Sequence, residues 1–200
     1  MTALAFQGGW IMLAIVALSF AAWMLMAWKW FLLRDEYAMS LQWADDVLAL
    51  ARRDEMAQAR ERCARETGCV AMVLRMALEI RNPDHTHFEK YLWPVLDSES
   101  VRLNRGLSMV QALGAVAPLL GLLGTVQGMI LTFGSVTLQG VPEMEGVAAG
   151  VSQALITTQA GLVAGLAIML VHGYLEAMAQ KRIEIAELYA KKLETAVLHD

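Results

Sequence analysis

The thirty residues from Gly146 to Leu175 contain no Lys, Arg, Asp or Glu. As a helix rising about 1.5 Å per residue they reach about 45 Å, more than the ~30 Å hydrocarbon core of a bilayer requires. Yet the stretch is not uniformly apolar. Gly150, Ala154, Thr158, Gly161 and Gly165 recur at spacings of four, four, three and four, so they share one helix face. Such a stripe lets another backbone come close, which is how helices associate in lipid, where apolar burial gives no driving force between them. Ser152, Gln153, Thr157, Thr158 and Gln159 lie among these small groups. Uncharged polar groups at membrane depth are costly unless they meet protein or water. The helix is therefore expected to face the inside of an assembly.

Two more stretches meet the same length criterion. Gly9–Leu33 is bulky, with Ser19 as its only polar group between Ile11 and Ala27, and reads as a lipid-facing helix on the rim. From Gly106 to Pro142 the chain again carries no charge. Within it Gly114, Ala117, Gly121, Gly124 and Gly128 form a second small-residue stripe, flanked by Thr125, Gln127 and Thr132. Pro118 frees the carbonyl of Gly114 and is a candidate kink. With 57% hydrophobic residues the chain reads as an integral membrane protein, and its net charge of −4 hides an uneven distribution. Twelve of the sixteen basic residues fall between Lys29 and Arg105, and the other four follow Leu175. The positive-inside rule then places both basic regions in the cytoplasm and the N-terminus outside.

The expected fold class is an all-α membrane protein: three transmembrane helices (N-out, C-in), long cytoplasmic helical extensions and a small cytoplasmic helical bundle. Residues 1–8 form a periplasmic N-terminus, 9–33 the first span, 34–105 a cytoplasmic helical region and 106–133 the second span. A periplasmic loop at 134–146, the third span at 147–175 and a helical tail at 176–200 complete the chain. The first helix reads as an uncleaved anchor, because no basic n-region precedes it.

In the cytoplasmic region helical periodicity continues past Arg34 through Leu41, Ala44, Leu48 and Ala51. Asp54 is a candidate cap for a helix ended by Gly68, and Cys69–Ile80 forms another. Asn82-Pro83-Asp84 reads as a turn. A short helix over His87–Leu92 is expected to stop before Pro94, with Asp97 or Ser98 capping the next. Cys63 and Cys69 face a reducing compartment and are expected as two ordinary small helix residues, not a disulfide or a metal site. His85 and His87 lack the companion ligands of a metal site. Glu143 and Glu145 suit the dipole of the third span. The tail is expected to be a helical stalk with i,i+4 pairs such as Glu187–Lys191.

At GAVAPLLGLLGTVQGMILTF (Gly114–Phe133) and GVSQALITTQAGLVAGLAIML (Gly150–Leu170) the chain resembles the ExbB/TolQ/MotA family of proton-channel motor subunits, closest to ExbB. Three spans and a large insert between the first two match ExbB and TolQ, whereas MotA-like subunits usually have four spans. The resemblance implies a homo-pentamer in the bacterial inner membrane. Its second and third helices would line a pore holding an ExbD/TolR-like single-span partner with a membrane aspartate. It also implies a TonB-like periplasm-spanning protein downstream and energised outer-membrane transport. By motif, the two pore threonines match Thr125 and Thr158. The family commonly has Glu five residues before the second threonine; this chain has Gln153, so no proton role carries over to that position.

The residues themselves imply a division of labour. Neither the second nor the third span contains Asp, Glu or Lys, and the first contains no Asp or Glu, so the titrating carboxylate is expected from a partner. Thr125, Thr158, Thr157, Gln153 and Thr132 are the candidate pore-lining groups. His172, near the inner end of the third span, is a candidate relay. Thr157 can instead bond back to the carbonyl four residues earlier. Gly114, Gly121, Gly124, Gly128, Gly150, Gly161 and Gly165 are the expected helix-packing positions. No cofactor or nucleic acid is expected; protons are the expected coupling ion, and sodium stays open because hydroxyls and carbonyls also coordinate it. TolQ-like, flagellar-stator-like and non-conducting scaffold readings stay open too. No nucleophile–base pair is visible, so the chain is not expected to be an enzyme.

Overall fold

The computed structural model describes residues 9–38, 41–80, 85–139 and 144–198. These form seven helices: α1 (Gly9–Ala38), α2 (Gln42–Ala51), α3 (Met56–Ala64), α4 (Cys69–Glu79), α5 (His85–Asn104), α6 (Leu107–Gln139) and α7 (Met144–Leu198). Three contain segments long and apolar enough to cross a membrane: Gly9–Arg34, Leu107–Gly134 and Gly146–Ala196. At 55 residues α7 is about 80 Å long, far beyond a bilayer core, so the helical stalk is continuous with its span. The chain divides into two compact units, one of residues 1–29 with 106–174, the other of residues 30–105 with 175–200.

In the first unit each long helix buries one stripe and exposes the rest. On α1 the buried positions in this unit are Ile11, Ile15, Ala22, Met26 and Lys29, while Leu13, Phe20, Trp23 and Met24 are exposed. This helix is thus less uniform than a purely lipid-facing rod. On α6 the buried residues are Leu107, Val110, Gly114, Ala117, Gly121, Gly124, Gly128 and Thr132, at spacings of three and four throughout. That spacing follows from 3.6 residues per turn: one face meets protein and the remainder is left apolar for lipid or another subunit.

The second unit has its own core. Trp43, Val47 and Leu48 of α2, Cys63 of α3 and Val73 and Leu74 of α4 are buried. Successive helices from α2 to α5 pack on one another. Two arginines close the helix ends that this packing would otherwise leave unsatisfied. Arg60 of α3 donates to the Leu78 carbonyl of α4 through Nε at 3.1 Å and Nη2 at 2.7 Å. In return Arg75 of α4 donates to the carbonyls of Cys63 at 3.2 Å, Ala64 at 2.7 Å and Glu66 at 2.5 Å. Burial pushes the Cys63 thiol above its usual range, against the opposing charge of Arg75, which keeps it an unreactive thiol. Cys69 is buried as well, and both cysteines are free. The tail of α7 joins this core at Tyr189, whose hydroxyl donates to Asp45 of α2 at 3.1 Å. The expected Glu187–Lys191 pair forms at 2.6 Å on the stalk surface.

Three local expectations are corrected. Helix α5 runs through Pro94 instead of stopping before it, and Ser98 donates back to Val95 at 2.8 Å instead of capping a new helix. Leu92, Leu96, Glu99 and Leu103 form a continuous buried stripe across the proline, and that packing outweighs the backbone bond Pro94 removes. The break comes at Gly106, whose φ of +89° suits glycine. Asp54 does not cap α3; it takes a left-handed conformation at φ +60°, and Glu55 occupies the cap position. Helix α1 does not run unbroken into α2, which has Leu41 at its N-cap; residues 39–40 between them lie outside the described residues, as do Asn82-Pro83-Asp84 and Glu143. Helix α6 extends past Gly134 to Gln139, shortening the expected outer loop.

Arg75→Met removes the donors to three carbonyls and is expected to destabilise the protein by about 1–3 kcal/mol. Thermal unfolding of the full chain in detergent checks this, with exposed Arg52→Met expected to leave the midpoint unchanged.

Candidate functional site

The polar residues of the spans are distributed by the packing of α6 against α7. Gly114 lies against Ile168, Gly121 against Thr158, Gly128 against Ala154 and Thr132 against Gly150, so the two helices run antiparallel in one register. Their approach is close enough to be limited by backbone. A methyl carbon on Gly161 would stand 2.7 Å from the Ala117 carbonyl oxygen and 2.9 Å from the Gly121 Cα. On Gly165 it would meet the Pro118 ring at 2.7 Å and the Gly114 carbonyl at 3.0 Å. On Gly128 it would meet the Gly150 carbonyl at 2.7 Å. Carbonyl oxygens of one helix thus rest on glycines of the other, the geometry of Cα–H···O contacts in close helix pairs. The Gly114 carbonyl that Pro118 frees is one of them. All seven glycines named from the sequence lie on this seam. The two stripes face each other inside one chain, and neither is left as a bare track for a partner helix.

The seam sorts the hydroxyls. Thr157 is fully buried at 0% exposure, seated over Gly124, where a methyl carbon would come within 2.5 Å of its Cβ. Its hydroxyl donates back to the carbonyls of Gln153 at 3.0 Å and Ala154 at 2.9 Å. Thr132 is buried over Gly150 and donates to the Gly128 carbonyl at 2.9 Å. The buried stripe of α7 therefore runs through Thr157, not Thr158. Thr158 sits half-buried at the edge of the seam and donates across it to the Gly121 carbonyl at 3.0 Å, with Ala154 as a second acceptor at 3.2 Å. Thr125, also half-buried, donates to the Leu122 carbonyl of its own helix at 2.7 Å. Given the register, Thr125 and Thr158 differ in depth by about one helical turn, roughly 5 Å. Gln153 is half-buried, with its amide beside Gly9 of α1. His172 lies in the buried stripe of α7 between Ile168 and Leu175.

Beside Thr125 the surface opens into a shallow groove lined by Val126, Met129, Ile130 and Phe133. These four are exposed large apolar side chains. Pro118 is the packing residue that spacing alone missed: it reads as a kink, but its ring also fills the space over Gly165. The signal was available in its place four residues after Gly114 on the same stripe.

Residues 54–187 match the MotA/TolQ/ExbB proton channel family. That is well over half of the chain. The chain belongs to this family. Its members are transport proteins and not enzymes, and this one is an ExbB-like, multi-pass membrane protein. It is 31% identical to biopolymer transport protein ExbB-like 1 of Synechocystis sp. over 92% of its own length and 72% of the relative's. It is 31% identical to an ExbB homologue of Methanothermobacter thermautotrophicus over 61% of its length, covering 43% of that protein. Against the biopolymer transport protein ExbB of Xanthomonas campestris the identity is 35%, over 37% of this chain and 29% of the relative. The matched region includes both helices of the seam.

The two kinds of glycine contact predict different rescue. Gly161→Ala meets backbone, so no side-chain change relieves it, and about 1–3 kcal/mol of stability is expected to be lost. Gly124→Ala meets the Thr157 side chain, and Thr157→Gly is expected to restore most of the loss. Gly173→Ala, with open space at that Cβ, is the control. Thermal unfolding of detergent-solubilised variants reads all four.

Proposed function

We propose that this chain is the channel-forming subunit of an ExbB-like, proton-driven motor in the bacterial inner membrane, with its N-terminus outside. Five copies surround an ExbD/TolR-like single-span partner whose membrane aspartate takes and releases protons. The resulting motion is passed to a TonB-like protein and energises outer-membrane transport. The observation that carries this reading is the pair of edge threonines. Thr125 and Thr158 are half-buried threonine hydroxyls at the edge of the α6–α7 seam, within about one helical turn of each other in depth, on spans that carry no acid or lysine of their own. The apolar groove adjoining Thr125 gives the surface of a neighbouring helix somewhere to seat. The ExbB names of the relatives favour the import motor over a flagellar stator.

The hydrogen bonds suggest how protonation is read. In this structure both hydroxyl protons go to backbone carbonyls, Leu122 for Thr125 and Gly121 for Thr158. Their oxygen lone pairs remain able to accept from a neutral carboxyl group. An ionised aspartate competes for the hydroxyl protons instead. A hydrogen bond to a charged group contributes about 1.5–3 kcal/mol against about 1 for a neutral one, so the hydroxyl turns to the carboxylate and returns on protonation. Each threonine is then a two-position rotor set by the partner's charge. The hydroxyl donates to the ionised carboxylate and accepts from the neutral carboxyl group.

Co-reconstitution in liposomes with an aspartate-bearing single-span partner tests the proposal. Proton flux is expected to need both proteins. Thr125→Val and Thr158→Val are each expected to lower flux about 10- to 100-fold, the equivalent of one charge-assisted bond, while Thr→Ser retains most of it. Full flux in both valine variants would remove the hydroxyls from the pathway. Conduction by this chain alone would remove the need for a partner, and flux that follows a sodium gradient would replace the coupling ion.

A further inference from the structure

The second unit contains a small cavity of about 20 Å³ that the motor reading does not use. It lies where the start of α2, the N-terminus of α4 and the stalk of α7 converge, and its walls are Leu41, Trp43, Thr67, Gly68, Cys69, Val70 and Arg182. Trp43 is only 6% exposed, and its indole N–H is buried with no acceptor among the described residues. Arg182, 5% exposed, brings a fixed positive charge to the same walls. The third contributor is the first turn of α4, an eleven-residue helix whose N-cap Gly68 supplies no side-chain hydrogen bond. Its N–H groups and dipole present partial positive charge.

The polarity of these walls selects the occupant. The Leu41 carbonyl already accepts from Ala44 and Asp45, and the Gly68 carbonyl from Met72. No lining residue carries a carboxylate. Thr67 brings one hydroxyl to the walls, so a water molecule would find more donors for its lone pairs than acceptors for its two protons. A monatomic anion only accepts, which suits walls supplied mainly with N–H donors. The volume admits one sphere of about water size and excludes phosphate or sulfate. We infer that this cavity binds a single halide ion, chloride in the cell, held by the Trp43 indole N–H, Arg182 and the N-terminus of α4. The ion joins α2, α4 and α7 and makes the stability of this unit depend on chloride.

Thermal unfolding of the full-length protein in non-ionic detergent tests this. Sodium chloride is compared with sodium gluconate at equal ionic strength, gluconate being too large for the cavity. At saturating chloride the midpoint is expected to rise by about 2–4 °C, as expected of a ligand that binds only the folded state. Trp43→Phe keeps the ring, removes the N–H, and is expected to weaken the apparent chloride affinity about tenfold, the loss of one hydrogen bond. No chloride dependence in the wild type, or the same dependence in Trp43→Phe, overturns the site. Should that variant fail to fold, crystals of the wild type grown in bromide decide: an anomalous peak in the cavity supports the site, and density without one, meaning water only, overturns it.

Discussion

Everything in the membrane unit depends on how closely the backbones of α6 and α7 approach. In lipid, packing two apolar helices side by side gains nothing from leaving water, so association must come from contact itself. Here that contact is made by carbonyl oxygens resting on glycines: Ala117 on Gly161, Gly114 on Gly165, Gly150 on Gly128. Each contact is weak alone, but the register repeats it along the whole seam. A side chain at Gly161 would push the backbones apart, and the neighbouring contacts would open with it.

The same seam determines which polar groups are available for function. Thr157 and Thr132 fill the holes over Gly124 and Gly150 and turn their hydroxyl protons back to their own helix. Thr158 and Thr125 flank it, half-open. A hydroxyl at the edge keeps lone pairs, and a choice of acceptor, that a sealed one lacks. A sealed hydroxyl and a half-open one thus come from adjacent residues, Thr157 and Thr158, through a rotation of about 100° around one helix.

The second unit solves a different problem. Its helices are short, so their unsatisfied ends are a large share of their backbone. Arg60 and Arg75 satisfy those ends reciprocally, each reaching from one helix to the other's last carbonyls. The fork of Arg60 places two donors on one carbonyl, and that of Arg75 spreads its donors over three. Tyr189 of α7 adds a polar tie to Asp45, and burial together with that carboxylate holds its phenol above the usual range.

The sequence by itself determined the three spans, the small-residue stripes of the second and third, and the absence of any acid or lysine from those two. These are properties of composition and spacing, and hydropathy over twenty residues needs no knowledge of neighbours. It also contained the seven glycines of the seam, because a stripe at three-and-four spacing is visible along one helix. What it left open was phase and continuity. Thr157 and Thr158 both satisfy the spacing, and only the position of α6 decides which of them is sealed. Pro94 argues locally for a helix end, and only the buried stripe from Leu92 to Leu103 carries α5 through it. The arginine clamps and the Trp43 cavity join residues far apart in the chain. Tertiary structure alone decided these, because a hydrogen bond depends on distance in space and sequence spacing records distance only along a single helix.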